Sequence, residues 1–228
     1  MIVEAYPEHL INGIIVVDNG CYVGLATGPD LMREITKMQI EAARYANPLT
    51  QLPGNVAINR HIDQLIQQEI PFTACYCDLD HFKPFNDVYG YQRGDEGIQM
   101  SSKIIVQHCS TDKDFIGHIG GDDFIIVFQS KDWELRCKNI LRAFETAISD
   151  FYSNEDRDRG GYISEDRQGK KVFYPLISLS LGVINANIGQ YVSHHQIAIA
   201  AAEAKKQAKR LPGNSLFIDR RQETTVHP

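Results

Sequence analysis

The chain has 228 residues, enough for one full-sized core and a smaller appendage. A hydrophobic fraction of 43% is ordinary for a globular protein, and a formal net charge of −6 excludes the broad basic footprint of a nucleic-acid binder, so local basic residues must meet any phosphate. No apolar run approaches the ~20 residues of a membrane span and the N-terminus lacks a signal-peptide layout, so a cytoplasmic segment is expected.

In chain order, Leu10–Val17 and Cys21–Leu25 flank Asp18-Asn19-Gly20, a strong hairpin signal. Gly28-Pro29-Asp30 then opens a helix from Leu31 to Tyr45, with apolar residues at 31, 32, 35, 38, 42 and 45. Asn47–Asn55, broken by Pro48 and Pro53-Gly54, predicts a turn, and Val56–Glu69 an amphipathic helix. Phe72–Asp80 reads as a strand ending in two acids. It carries Cys75 and Cys77 on one face as small buried hydrophobes. The five cysteines form no Cys-x-x-Cys pair and are expected as reduced thiols, and the histidines, His194 and His195 included, lack zinc-ligand spacing.

A further helix is expected over Gly97–Cys109, with Ile98, Met100, Ile104 and Ile105 inward. Next comes a hairpin, Asp114–Ile119 and Phe124–Phe128, whose tip is Gly120-Gly121-Asp122-Asp123. Trp133–Tyr152 predicts a helix burying Leu135, Ile140, Leu141, Phe144 and Ile148. Ser153–Lys171, polar and rich in glycine, reads as a flexible hairpin or loop. Pro175–Ile184 is a buried-type strand, Ile197–Leu211 an alanine-rich helix, Ser215–Ile218 a last strand, and Asp219–Pro228 a polar tail. This order predicts an α/β or α+β sandwich with a mixed sheet.

Taken alone, a solvated Gly-Gly-Asp-Asp turn explains its own carboxylates. Asp78 at a strand end and Asp122 on a neighbouring hairpin are, however, the ligand type Mg²⁺ takes alongside substrate phosphates, with Mn²⁺ able to substitute. Asp80 is expected to cap the turn that follows it rather than to bind metal.

Together, Asp78-Leu79-Asp80-His81-Phe82-Lys83, Asn86-Asp87, Gly90, Gly94-Asp95 and Gly120–Phe124 resemble the GGDEF domain of bacterial diguanylate cyclases, over residues 45–220. Asn47–Asn55 is similar to the segment that opens such domains, with Gln51 in place of a glycine. Ala208-Lys209-Arg210-Leu211-Pro212-Gly213-Asn214 is similar to its late Ala-Lys-x-x-Gly-Arg-Asn. The resemblance implies a central, partly antiparallel mixed sheet flanked by helices, as in nucleotidyl cyclases and polymerase palms. It implies metal ligands at Asp78, the Leu79 carbonyl and Asp122, and a catalytic set of Asp78, Asp122 and Asp123. Asn86 and Asp95 would read guanine, whose paired N–H donors suit a carboxylate, with Gly90 and Gly94 letting the base approach. Lys83 and Lys209 would bind phosphate, helped by the amides of Phe82 and Lys83. The implied reaction joins two GTP into cyclic di-GMP across a homodimer.

Several departures stand out. Asp123 replaces the usual Glu, His118 stands where an Arg commonly precedes the hairpin, and Gly213 replaces the Arg of Gly-Arg-Asn. The Arg of an Arg-x-x-Asp product site is absent from Thr111-Asp112-Lys113-Asp114, so tight product binding there is not expected. A GTP-holding module that regulates a fused EAL phosphodiesterase without turnover is the second reading. A template-directed polymerase is disfavoured by the acidic balance. Residues 1–45 resemble the end of a CBS domain, with an ordinary N-terminal decoration as the equal alternative. That divides the chain into 1–45, a GGDEF domain at 46–220, and the tail at 221–228.

Overall fold

The structure, a computed structural model, describes residues 13–165 and 169–220. The expected strand residues Leu10–Asn12 and the tail 221–228 lie outside them. Two compact units divide at Tyr45 and Ala46. In the first, Asn19 and Gly20 take positive φ (48° and 79°) and fold β1 (Ile14–Asp18) antiparallel onto β2 (Cys21–Ala26). Helix α1 (Gly28–Tyr45) follows. Thr27 and Asp30 cap it reciprocally, each main-chain N–H donating to the other's side chain at 3.1 and 3.3 Å.

The second unit runs α2 (Asn55–Gln67), β3 (Phe72–Asp80), α3 (Phe82–Tyr89), α4 (Tyr91–His108), β4 (Phe115–Gly120), β5 (Asp123–Phe128) and α5 (Trp133–Ile148). It continues through a 3₁₀ turn (Ser149–Phe151), α6 (Asn154–Arg159), β6 (Gly161–Glu165), β7 (Lys171–Pro175), β8 (Ser178–Ala186), α7 (His194–Ala208) and β9 (Ser215–Asp219). Its main sheet has the order β4-β5-β3-β8-β9, antiparallel except for the parallel β8–β9 pair, and helices flank it as expected.

Strand β3 is central and buried along both faces, which is why it reads as an almost continuous apolar run. Alternation sorts its side chains. Cys75, Cys77 and Leu79 join the core that holds Ile98 and Ile105 of α4 and Ile140 and Phe144 of α5. Ala74 joins the opposite core with Ile58 and Ile62 of α2 and Ile197, Ala201 and Ala204 of α7. By the same period, Asp78 and Asp80 take the α7 side. Cys75, Cys77, Cys109 and Cys137 are buried free thiols, and Cys21 is an exposed one.

Several expectations needed correction. Leu135 is 56% exposed; the inward stripe of α5 is Cys137, Ile140, Phe144 and Ile148, one face at helical spacing that Leu135 does not share. The stretch 153–171, expected as a flexible hairpin or loop, does enter a hairpin, and what was not expected is the short helix before it. Ser153 caps α6, with its hydroxyl accepting from the Asp156 N–H at 3.1 Å, and β6 pairs antiparallel with β7. Helices α4 and α7 begin six and three residues before the expected starts, at Tyr91 and His194.

Glycine is required where α7 crosses β8. A Cβ on Gly182 would meet the Lys205 main-chain nitrogen at 2.1 Å and its Cα at 2.4 Å. The alanine face of α7 (Ala201, Ala204, Ala208) and this bare strand position let helix and sheet approach closely. Gly182→Ala is therefore expected to destabilise the protein by about 1–3 kcal/mol, because backbone rather than a flexible side chain must move. Urea denaturation measures this, and an unchanged midpoint would contradict so close a helix–strand approach.

Candidate functional site

The hairpin tip is built by backbone freedom. Gly120 and Gly121 take φ of 149° and 58°, and the β4–β5 register shifts between His118 and Gly120, so the turn closes with Asp122 and Asp123 at its exit. In register, Asp123 lies opposite Asp78 on β3, and Asp78 lies opposite Ser180 on β8. The acids from the two distant segments therefore meet at one end of the sheet.

Two lysines answer them, Lys205 in the last turn of α7 and Lys209 at its C-cap. Lys209 Nζ donates to Asp78 Oδ1 and lies 3.6 Å from Asp80 Oδ1. Lys205 Nζ lies 2.9 Å from Asp78 Oδ2 and also donates to Asp123 Oδ1. Burial works to raise the Asp78 carboxyl, but the hydrogen bonds and charges of Lys209 and Lys205 outweigh it and hold the group below its usual range. Burial and the neighbouring Asp78 charge push Asp122 up to about 6. Asp123 is raised by burial despite Lys205. Both lysines are held above their usual values by these acids, against the opposing effect of burial.

Asp80 does not cap the next turn. It is buried, accepting from Ser178 Oγ at 3.0 Å and Ser180 Oγ at 2.6 Å, because alternation turns all three toward the same face. The residue before α3 is instead His81, in the left-handed region at φ 60° with no side-chain cap. Leu79 turns its side chain into the opposite core.

His118, flagged as a missing arginine, is buried and braces the hairpin. Its Nε2 lies 3.0 Å from the Gly121 carbonyl, which can only accept, so Nε2–H donates and Nδ1 accepts from Thr50 Oγ1 at 2.9 Å. Burial keeps the ring neutral by lowering its pKa, and Phe124 stacks on it at 4.5 Å. In the Thr50 loop, Gln51 carries φ 60°, a conformation that suits the glycine the resemblance implies there. Asp114, the remnant of the product-site pattern, is buried and accepts from the N–H groups of Ser110, Gln129 and Ser130 at 2.8, 3.1 and 3.1 Å. Those bonds tie the start of β4 to the end of β5.

The second group of expected residues follows directly on the acids. Phe82 is buried, Lys83 is exposed in the first turn of α3, Asn86 is half-buried and Asp95 is exposed on α4. Gly94 accommodates a neighbouring side chain. Its missing Cβ makes room for Asn86, whose Oδ1 lies 1.9 Å from where that Cβ would stand. That Oδ1 is buried and accepts no hydrogen bond from the described residues, an orphaned acceptor against Gly94. Gly90, at φ 86°, forms the corner between α3 and α4.

Of the expected residues, the structure thus gathers Asp78, Asp122, Asp123 and Lys209 in one cluster, with Phe82, Lys83, Asn86 and Asp95 on the adjoining helix pair. Sequence reading missed Lys205, Ser178, Ser180 and Thr50. Lys205 was visible only as a residue four positions before Lys209 on one helical face. Among the described residues, no three Asp, Glu, His or Cys side chains converge as a preformed metal cage. Carboxyl-resolved NMR is expected to give Asp122 a midpoint of about 6 in the ligand-free protein. In Asp78→Asn that midpoint should fall, since the repelling charge is gone; an Asp122 titrating in the ordinary range in the unmutated protein would contradict the crowding.

Comparison with known proteins bears on this geometry. Over 97 residues the chain is 32% identical to the bifunctional diguanylate cyclase/cyclic di-GMP phosphodiesterase MucR of Pseudomonas aeruginosa, covering 41% of this chain and 14% of that protein. Over 60 residues it is 37% identical to a diguanylate cyclase of Vibrio cholerae, covering 26% and 18%. The chain thus spans less than a fifth of the length of these relatives. Its fold is similar to that of diguanylate cyclase SiaD from Pseudomonas aeruginosa, solved with its activator SiaC (TM-score 0.61, 17% identity, 82% of this chain and 66% of that one). It is also similar to the coiled coil and GGDEF domain of DgcB from Caulobacter crescentus, solved with c-di-GMP (TM-score 0.58, 20% identity, 83% and 96%). Residues 45–162, just over half of the chain, match the family described as "Diguanylate cyclase, GGDEF domain", and the chain belongs to that family.

Proposed function

We propose that this domain is a diguanylate cyclase that binds GTP with Mg²⁺ and, as a homodimer, condenses two GTP into cyclic di-GMP. Each 3′-hydroxyl attacks the α-phosphorus of the facing nucleotide, and the bond to each pyrophosphate leaving group breaks. One domain alone cannot close the ring. The single observation that carries this reading is the meeting of Asp78 with Asp122 and Asp123 where β3 and β5 pair, with Lys205 of α7 and its C-cap Lys209 beside them.

The donor set fits the metal. Mg²⁺ takes one or two carboxylates together with waters and substrate phosphates, and Asp78 and Asp122 supply that number. Burial and then the Asp78 charge push Asp122 up, and a dication between the two carboxylates would relieve the second of these. Asp78, Asp122 and the Leu79 carbonyl would hold Mg²⁺, or Mn²⁺ in its place, and the ion would neutralise charge on the phosphate oxygens. Lys209 and Lys83, with the amides of Phe82 and Lys83, would bind the triphosphate. Asn86 Oδ1 needs a donor, and the guanine N–H edge, shared with Asp95, would supply one. Asp123 would act through Lys205.

The second reading is a GTP-holding module that regulates a fused EAL phosphodiesterase without turnover. It is favoured by Asp78, whose two oxygens are both held by ammonium groups here. In either reading we place the domain in the cytoplasm, where GTP is available. Among the described residues, no helix is long and apolar enough to cross a membrane. Exposed Ile15, Val17, Tyr22, Val23 and Leu25 on the N-terminal hairpin suit the CBS-like reading of that unit, which would pass a signal to the dimer.

Purified protein incubated with GTP and Mg²⁺ is expected to yield cyclic di-GMP by chromatography, and Asp122→Ala to abolish it. GTP binding without product would favour the regulatory module, and no binding at all would refute both. Asp95→Ala should lower the preference for GTP over ATP by roughly tenfold to a hundredfold, the cost of losing a charged acceptor. Unchanged relative affinities would remove Asp95 from the base pocket.

A further inference from the structure

Lys205 has no place in the family resemblance, yet it holds the centre of the acidic cluster. Its ammonium bridges Asp78 Oδ2, at 2.9 Å, and Asp123 Oδ1, and its side chain is 19% exposed against 39% for Lys209. Its backbone is fixed against the sheet by the close approach over Gly182. The lone pair it donates to on Asp78 Oδ2 is one that a dication at this end of β3 would need, and an ammonium seated there stands in the metal's approach to that oxygen.

We propose that Lys205, anchored on Asp123, is a resident counter-ion that competes with divalent cations for Asp78, so that metal enters this site together with a triphosphate able to draw the ammonium away. The proposal rests on the GTP reading above for the identity of that triphosphate. Competition acts in two ways. The ammonium occupies acceptor oxygens, and its charge repels a dication a few ångströms away with little solvent between to screen it. When phosphate oxygens arrive they offer Lys205 another acceptor, and its long stem allows the ammonium to change partners without moving α7. Lys205 is thus a positioning residue that acts through the carboxylates and sets the order in which metal and nucleotide bind. It also gives Asp123 a role: the shorter carboxylate at this motif position anchors the lysine from the β5 side.

Nucleotide-free Mn²⁺ affinity, read by electron paramagnetic resonance, tests this directly. Lys205→Met keeps length and removes charge, and is expected to tighten Mn²⁺ binding by roughly tenfold or more. Lys206→Met makes the same change in net charge on the exposed side of the same helix and should move affinity by no more than about twofold. Equal effects of the two substitutions, or no effect of Lys205→Met, would overturn the proposal. Should Lys205→Met fail to fold, amine labelling of the unmodified protein decides. Lys205 should be protected in the ligand-free state and become reactive at saturating Mn²⁺, whereas a reactivity that Mn²⁺ leaves unchanged would overturn the proposal. Fluorescence titration with a labelled GTP runs beside these measurements. Absence of GTP binding would end the nucleotide reading but leave the Mn²⁺ competition standing, while GTP binding with metal affinity indifferent to Lys205 would do the reverse.

Discussion

Everything at this end of the domain depends on one electrostatic arrangement: carboxylates of two neighbouring strand ends pressed together at the edge of a core and held there by two ammonium groups, one from the last turn of α7 and one from its C-cap. Carboxylates so placed repel one another and lose hydration, and either cost alone would drive them apart or protonate them. Lys205 and Lys209 offset both costs for Asp78, while Asp122, to which no lysine among the described residues donates, is left with its pKa raised by burial and by the Asp78 charge. The remaining features of this side of the sheet serve the arrangement. Gly182 and the alanine face of α7 bring the lysines within reach, and Ser178 and Ser180 satisfy Asp80.

The other half of the site is held by packing rather than charge. Helix α3 carries Asn86 and rests on an aromatic cluster in which Phe85 stacks on Tyr89 at 4.7 Å, and Tyr89 meets Tyr152 and Tyr162 edge-on at 5.4 Å. The Tyr89 hydroxyl donates to Asp156 of α6 at 2.7 Å, and the Tyr152 hydroxyl accepts from the Ile177 N–H at 2.8 Å. The segment between α5 and β8 therefore braces α3 and the orphaned acceptor of Asn86. A stretch that is polar in sequence has a structural duty because Tyr152 and Tyr162 turn inward.

The family's departures acquire physical meaning in this setting. His118 replaces a charge with a neutral ring that ties the hairpin to the Thr50 loop, and Asp114 spends its oxygens on main-chain amides. Asp123 gives up a methylene and takes a lysine. At each of these positions the side chain is bonded within the domain.

Local pattern alone determined the element types, the two-carboxylate strand end, the glycine-opened hairpin and the family, because period, turn chemistry and motif spacing are properties of neighbouring residues. It misjudged Leu135, whose place on α5 depends on which face meets the sheet, and Asp80, whose hydroxyl partners lie about a hundred residues away on β8. It passed over Lys205 altogether, since a lysine in an alanine-rich helix is an ordinary solvated residue until the helix is laid across a strand. Only tertiary structure decided that, through the register of β5, β3 and β8 and the depth to which α7 settles over Gly182. Charges interact through space, and which of them become neighbours is set by packing of elements far apart along the chain.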